Sequence, residues 1–327
     1  MLLDSFGRVH THLRVSVTDR CNLRCVYCMP EDATFLDRSA LLTFEEIAAF
    51  ADVAIGQGIE SIRLTGGEPL LRRDLHRLVG LLAAIPGLRD LSLTTNGLLL
   101  AQQARALRDA GLTRLNVSLD TLDEGRFEQL SRRSGLKLVL EGLDESSRVG
   151  FERIKINTVA LRGFIEADAV PLARFCRERG YELRFIETMP IGADPWERHR
   201  CVMAHELLDW LEAAFGPIVP AAGYDPHAPA MAFEYADGGG TFGIIASISR
   251  PFCKQCNRLR LTAEGALRNC LFALDELDIK PFVRRDPIDR GGLIAALFAN
   301  VEAKWEGHDI NAASFVKPLR TMHAIGG

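Results

Sequence analysis

The sequence predicts an α/β fold, a partial (β/α)6 barrel followed by a small C-terminal α+β part. Three observations carry this prediction. From residue 13 onward, short β-branched runs alternate with longer segments of helical period, the pattern of a parallel sheet with crossover helices. Polar residues gather where each β-branched run ends, as at the C-terminal rim of a barrel, where sites are built. After Pro190 the alternation weakens and a different, cysteine-bearing composition takes over.

The expected strands are residues 13–18, 61–65, 91–94, 114–118, 154–159 and 182–187. Between the first two, Thr43-Phe44-Glu45-Glu46 reads as a capping box, because Thr43 and Glu46 can satisfy each other's orphan amides. Phe44, Ile47, Ala48, Ala51, Ala54 and Ile55 then recur at helical spacing until Gly56 and Gly58 stop the run. Further helices are expected over 74–85, 101–110, 137–149 and 167–179, which lets consecutive strands run parallel. The strand ends carry Thr18-Asp19-Arg20, Thr65-Gly66-Gly67-Glu68, Thr94-Thr95-Asn96, Ser118-Leu119-Asp120 and Glu187-Thr188-Met189. A helix over 204–214 follows, and the Pro/Ala/Gly-rich stretch 216–240 reads as a linker with loops. The division is therefore a barrel core over 5–225 and a C-terminal part over 226–327.

Hydrophobic residues make up 47% and charged residues 25% of the 327, an ordinary globular composition. A formal net charge of −4 gives no global attraction to nucleic acid or to an anionic membrane, so an anionic ligand must meet a local basic patch. No run has the length of a membrane span, and MLLDSFGRVH lacks the apolar stretch of a secretory signal, so a cytoplasmic protein is expected. Six of the eight cysteines fall in two tight groups, which suits metal binding in a reducing compartment. Cys176 and Cys201 stand apart and read as buried thiols.

The first group, Cys21, Cys25 and Cys28, offers three thiolates from one loop beside Arg20 and Arg24. A [4Fe-4S] cluster held by three ligands keeps one iron open to a small molecule, while a zinc ion borrowing a fourth ligand is the competing reading. The loop resembles the cluster motif of the radical S-adenosylmethionine (SAM) enzymes, with Tyr27 as the aromatic before the third cysteine. The resemblance implies a TIM-like radical SAM barrel in which the open iron takes the amino and carboxylate groups of SAM. It further implies that the segment around Gly67 lies along the methionyl part of SAM, and that Ser118 and Met189 contact its ribose and adenine.

The second group is Cys253, Cys256 and Cys270. Residues 257–262 alternate like a strand, 263–265 look like a turn, and a hairpin centred near Glu264 sets Cys270 across from Arg258. A zinc site completed by Cys201 or a histidine stays open on spacing alone. Arg258 and Arg260, two residues apart on a strand, share one face and suit bidentate phosphate binding. This segment resembles that of the GTP 3',8-cyclases of molybdenum cofactor biosynthesis, over nearly the whole chain. The resemblance implies a second [4Fe-4S] cluster that binds the guanine of GTP. Arg14, Arg63, Thr94, Lys155, Arg184, Arg258, Leu259 and Arg260 then hold the nucleotide, and Arg258 or Arg260 serves as a proton source. Arg14 and Lys155 lie inside expected strands, where an unpaired charge is costly. By strand parity Arg184 faces opposite Met189, so a bulge is expected if both reach the cavity. Gly326-Gly327 is expected to thread into the cavity. The implied reaction yields 3',8-cyclo-7,8-dihydro-GTP, with an electron donor such as flavodoxin or ferredoxin; the oligomeric state stays open, a homodimer among the options. The rival readings are a peptide-modifying radical SAM enzyme with an electron-transfer cluster and a non-catalytic iron–sulfur or zinc scaffold.

Overall fold

The computed structural model describes residues 1–191, 197–223, 225 and 227–326. Six strands follow one another with crossover helices: β1 (His12–Ser16), β2 (Ser61–Thr65), β3 (Asp90–Thr95), β4 (Arg114–Ser118), β5 (Ile154–Ala160) and β6 (Glu182–Glu187). The helices between them are α1 (Phe44–Gly56), α2 (Leu75–Ala83), α3 (Leu100–Asp109), α4 (Glu124–Ser131), α5 (Leu136–Arg148) and α6 (Ile165–Arg179). The Thr43 capping box forms as the sequence predicts, with Glu46 N–H donating to Thr43 Oγ1 and Thr43 N–H to Glu46 Oε2. The segment around α4 was not anticipated as a helix. Asp123 starts it by accepting the Arg126 amide at 2.8 Å.

After α7 (Ala204–Phe215) come β7 (Ile218–Pro220), β8 (Met231–Tyr235), β9 (Thr241–Ile245), β10 (Arg258–Leu261), β11 (Ala266–Arg268) and β12 (Leu277–Asp278), then α8 (Lys280–Val283), α9 (Arg290–Glu302) and α10 (Met322–Ile325). All the strands join one sheet in the order β12-β11-β10-β1-β2-β3-β4-β5-β6-β9-β8-β7. Stretch 216–240 is thus more than a linker: β7 and β8 pair antiparallel, and Phe233 stacks on Phe242 of β9 at 5.4 Å. The C-terminal residues extend both edges of the barrel sheet, β10 parallel to β1 and β9 parallel to β6. This covers edges that would otherwise expose unpaired backbone groups.

Strand alternation sorts the side chains. Leu13, Val15, Ile62, Leu64, Leu91, Leu93, Leu115, Val117, Ile154, Ile156, Leu183 and Phe185 are buried in one hydrophobic core with the helices. The residues between them turn to the other, inner face. That face is polar.

Candidate active site

Register brings the inner-face cations side by side. Arg14 pairs with Arg260 on one flank and Arg63 on the other, in strands ~4.8 Å apart. Arg258 sits level with His12, Lys155 level with Glu182, and Arg184 level with Asn157. Glu182 holds both Lys155 (2.7 Å) and Arg184 (2.6 Å), while Arg63 donates to Ser92 Oγ at 3.2 Å. Among the described residues, no carboxylate lies within 4.0 Å of Arg14, Arg63, Arg258 or Arg260. Burial, then the neighbouring guanidinium groups, pulls Arg14 far down, Arg63 to about 9 and Arg260 to about 10. Lys155 falls to about 8 through burial and then Arg184. Such mutually repelling cations are a cradle for a multiply charged anion.

The first thiol loop leaves the end of β1. Gly67 lets it close: an added Cβ would stand 2.4 Å from Arg20 O and 2.5 Å from Asp19 O. Gly67 and Glu68 amides bond Thr18 O and Arg20 O, both at 2.7 Å, so what the glycine admits is the chain's own approach to Cys21. Glu68 is buried, accepts from Leu70 N, Thr95 Oγ1 and Asn96 N, and burial pushes it up to about 7. Cys21 Sγ accepts from Leu23 N at 3.4 Å and Asn96 Nδ2 at 3.7 Å. The loop is pinned to α4 by Arg24 N–H to Ser131 O and Val26 N–H to Leu130 O. Tyr27 donates to Asp120 Oδ2 at 2.6 Å. Burial, then the Glu68 carboxylate, pushes Cys21 to about 11, while burial together with neighbouring thiols pushes Cys28 to about 12 and Cys25 well above its ordinary value. All eight cysteines are unbridged. Buried thiols facing one another fit a cationic iron–sulfur cluster, which would draw off their protons and relieve the burial.

In the second group the hairpin has the expected centre near Glu264, with Arg260 opposite Arg268 and Leu261 opposite Leu267; β11 stops at Arg268, two residues before Cys270. Burial pushes the Cys256 thiol up, but Arg258 and Lys304 outweigh it and bring it to about 6. Lys304 Nζ lies 3.5 Å and Arg258 Nη2 3.7 Å from Cys256 Sγ. This set, too, fits a cluster. Among the described residues no three Cys, His, Asp or Glu side chains converge closely enough to share one ion; a cubane spreads three thiolates over three irons.

Ser118 ends β4 level with Asn157, and Thr94 lies on β3 level with Asn116, both on the inner face. Arg184 reaches the inner face without the expected bulge. Strand β6 stops at Glu187, so parity does not extend to Met189, whose carbonyl accepts from Ile191 N–H and which packs against the small apolar cluster that includes Ile191, Ile248 and Ile325. Leu259 is fully buried in the main core, and its side chain points away from the arginines. Gly326 O accepts from Arg260 Nη1 at 2.8 Å, beside Thr65 and Ser16 at the strand ends. Gly327 lies outside the described residues. Lys304 escaped sequence reasoning, since nothing near it in the chain marks it. Asp120 and Asn96 stood in the flagged strand-end groups without a role.

Residues 15–176 match the family model of the radical SAM superfamily, and residues 181–310 that of Molybdenum Cofactor Synthesis C. Solved structures agree in fold. Streptococcus suis SuiB bound to S-adenosylmethionine superposes with a TM-score of 0.64 at 14% identity, covering 97% of this chain and 78% of that one. AnSMEcpe with bound AdoMet gives 0.57 at 15% identity, over 91% and 82%. Fold and thiol loop together define a radical SAM enzyme, with SAM and [4Fe-4S] clusters as cofactors. The relatives are more specific. GTP 3',8-cyclase of Rhodopirellula baltica is 50% identical, covering 100% of this chain and 92% of the relative, and that of Acidothermus cellulolyticus is 48% identical over 92% and 85%. The chain belongs to the GTP 3',8-cyclase family.

Proposed function

We propose that the chain converts GTP to 3',8-cyclo-7,8-dihydro-GTP, the first step of molybdenum cofactor biosynthesis, with its residues divided as follows. Cys21, Cys25 and Cys28 hold one cluster, and Tyr27, Gly67, Ser118 and Met189 surround SAM. Cys253, Cys256 and Cys270 hold the other cluster. Arg14, Arg63, Thr94, Lys155, Arg184, Arg258 and Arg260 take the nucleotide, Leu259 through its backbone alone. The observation that carries this reading is the row of inner-face arginines, Arg14, Arg63, Arg258 and Arg260, with no carboxylate within 4.0 Å among the described residues, which suits a triphosphate better than a peptide.

Bound SAM with its cluster would supply the 5'-deoxyadenosyl radical that takes hydrogen from C3' of GTP. The chain's own part is to bind and aim. Arginines on adjacent strands fix the triphosphate at the inner face, so that the ribose is held between the thiol groups. Once C3' bonds to C8 of guanine, one electron and one proton complete the dihydro product. Arg258 or Arg260 is the source of that one proton, Arg260 being eased toward release by burial. Barrel residues 5–225 carry the SAM side and residues 226–327 the second cluster and the GTP side. A cytoplasmic setting, a flavodoxin or ferredoxin as electron donor and a homodimer belong to the same proposal; no described helix is long and apolar enough to cross a membrane.

Anaerobic incubation with GTP, SAM and a reductant tests it. The expected result is GTP-dependent 5'-deoxyadenosine and a cyclised nucleotide in equal amounts; deoxyadenosine formed at the same rate without GTP would refute the assignment.

A further inference from the structure

Lys304 follows α9 and is 5% exposed. Its ammonium donates to Arg258 O at 2.8 Å and to Cys256 Sγ at 3.5 Å. No carboxylate lies within 4.0 Å of it among the described residues, and a buried ammonium without a counter-charge is costly. The anionic partner that balances it is therefore the thiolate set. Its place is fixed from behind by Arg8, which donates to Cys253 O at 2.8 Å, Glu306 O at 2.9 Å and Trp305 O at 2.6 Å, and which Asp4 holds at 2.6 Å. The N-terminal segment thus ties the two residues after Lys304 to the cysteine turn.

We propose that Lys304 is a positioning residue of the second thiol group, its ammonium hydrogen-bonded to the Cys256 thiolate so as to raise the reduction potential of the cluster held there and to orient Arg258 through its carbonyl. The inference rests on the two-cluster reading above. Hydrogen bonds and positive charge at a ligand sulfur favour the reduced, more negative cluster, so their loss moves the potential down. Arg258 loses its anchor at the same time.

The test uses the full chain, reconstituted anaerobically, in a background where Cys21, Cys25 and Cys28 are all serine, so that one cluster is read alone. Iron content and an EPR-monitored redox titration are measured for this parent and for Lys304→Met, Lys304→Gln and Lys304→Arg. The expected result is unchanged iron, a more negative potential in the two neutral variants, and a value near the parent's in Lys304→Arg. An unshifted potential in both neutral variants overturns the proposal. If the neutral variants lose their iron, retention of cluster and potential in Lys304→Arg upholds it, and loss in all three overturns it. A parent that binds no cluster overturns the two-cluster reading itself, which separates the two failures.

Discussion

Replacing Arg63 by Met should make the substrate-free protein more stable while weakening its hold on a triphosphate. Arg63 lies beside Arg14 in register, and burial, then Arg184 and Arg114, brings it down from its ordinary value to about 9. At ~1.4 kcal/mol per pH unit, that interval corresponds to on the order of 5 kcal/mol against the charged form in the fold. Relaxation and the lost bond to Ser92 reduce the gain, and ~1–4 kcal/mol is the range for exchanging buried ions for apolar side chains of similar volume. With ~2.1 cal/mol/K of unfolding entropy per residue, a chain of this length shifts in Tm by ~1.5 °C per kcal/mol. Scanning calorimetry of cluster-free protein should therefore show a rise of ~2–6 °C. Inorganic triphosphate at ~100 times its Kd would add ~2.7 kcal/mol to wild type and much less to the variant. The sign with pH also follows: burial favours loss of the Arg63 proton in the fold more than in the unfolded chain, so wild-type stability recovers as the pH rises through about 9 and the difference between the two narrows. A variant that melts below wild type without triphosphate, or gains as much from it, would refute the reasoning.

Three other outcomes are expected. Gly67→Ala drives a methyl into Arg20 O and Asp19 O, costing ~1–3 kcal/mol and displacing the approach to Cys21; iron per chain should fall by about half, read by anaerobic iron and sulfide analysis. Tyr27→Phe removes the donor that partly offsets burial at Asp120, whose carboxyl sits at about 6 in the fold against 3.8 unfolded. The ionised carboxylate then loses a partner, so urea denaturation should show a loss of ~1–3 kcal/mol at pH 8 and less at pH 5, where the carboxyl is largely protonated; equal losses would count against it. Serine at Cys21, Cys25 or Cys28 should end SAM cleavage, whereas Arg258→Ala should mainly raise the Kd for GTP, as isothermal titration with each variant would reveal.

The sequence announced the barrel strands because an inner polar and outer apolar alternation leaves a local trace: 61–65, 114–118 and 182–187 carry the bounds that alternation predicts. The first strand ends two residues early, at Ser16, although β-branched composition continues through Val17 and Thr18. There the backbone already turns toward Cys21 under the glycines of the next strand end. Stretch 216–240 hid its strands because β7 has three residues and β8 finds its partners on β7 and β9 across Gly and Pro, so no short window alternates cleanly. Leu259 was read with its arginine neighbours as a block, yet a period of two sends it to the opposite face. Lys304 could not be read at all, since its meaning lies in a sulfur brought near by the fold.

The two edges of the barrel explain how one sheet gathers its inner-face cations. A six-stranded parallel sheet ends at β1 and β6, leaving open the gap through which water and ligand would pass. Here β10 and β9 take those edges, and the strand that docks on β1 brings Arg258 and Arg260 level with His12 and Arg14. Strand β10 therefore closes an edge and adds cations to the inner face in the same step, while β9, which carries no Lys or Arg, only closes its edge. Because Cys256 precedes β10 and Cys270 follows β11, the hairpin that supplies those cations also fixes the second thiol group at its base. Shifting β10 by one residue on β1 would turn both arginines into the apolar core and bring Leu259 inward. The charge cost of that slip is what locks the register, so the repulsion that destabilises the empty cradle also specifies how it is assembled.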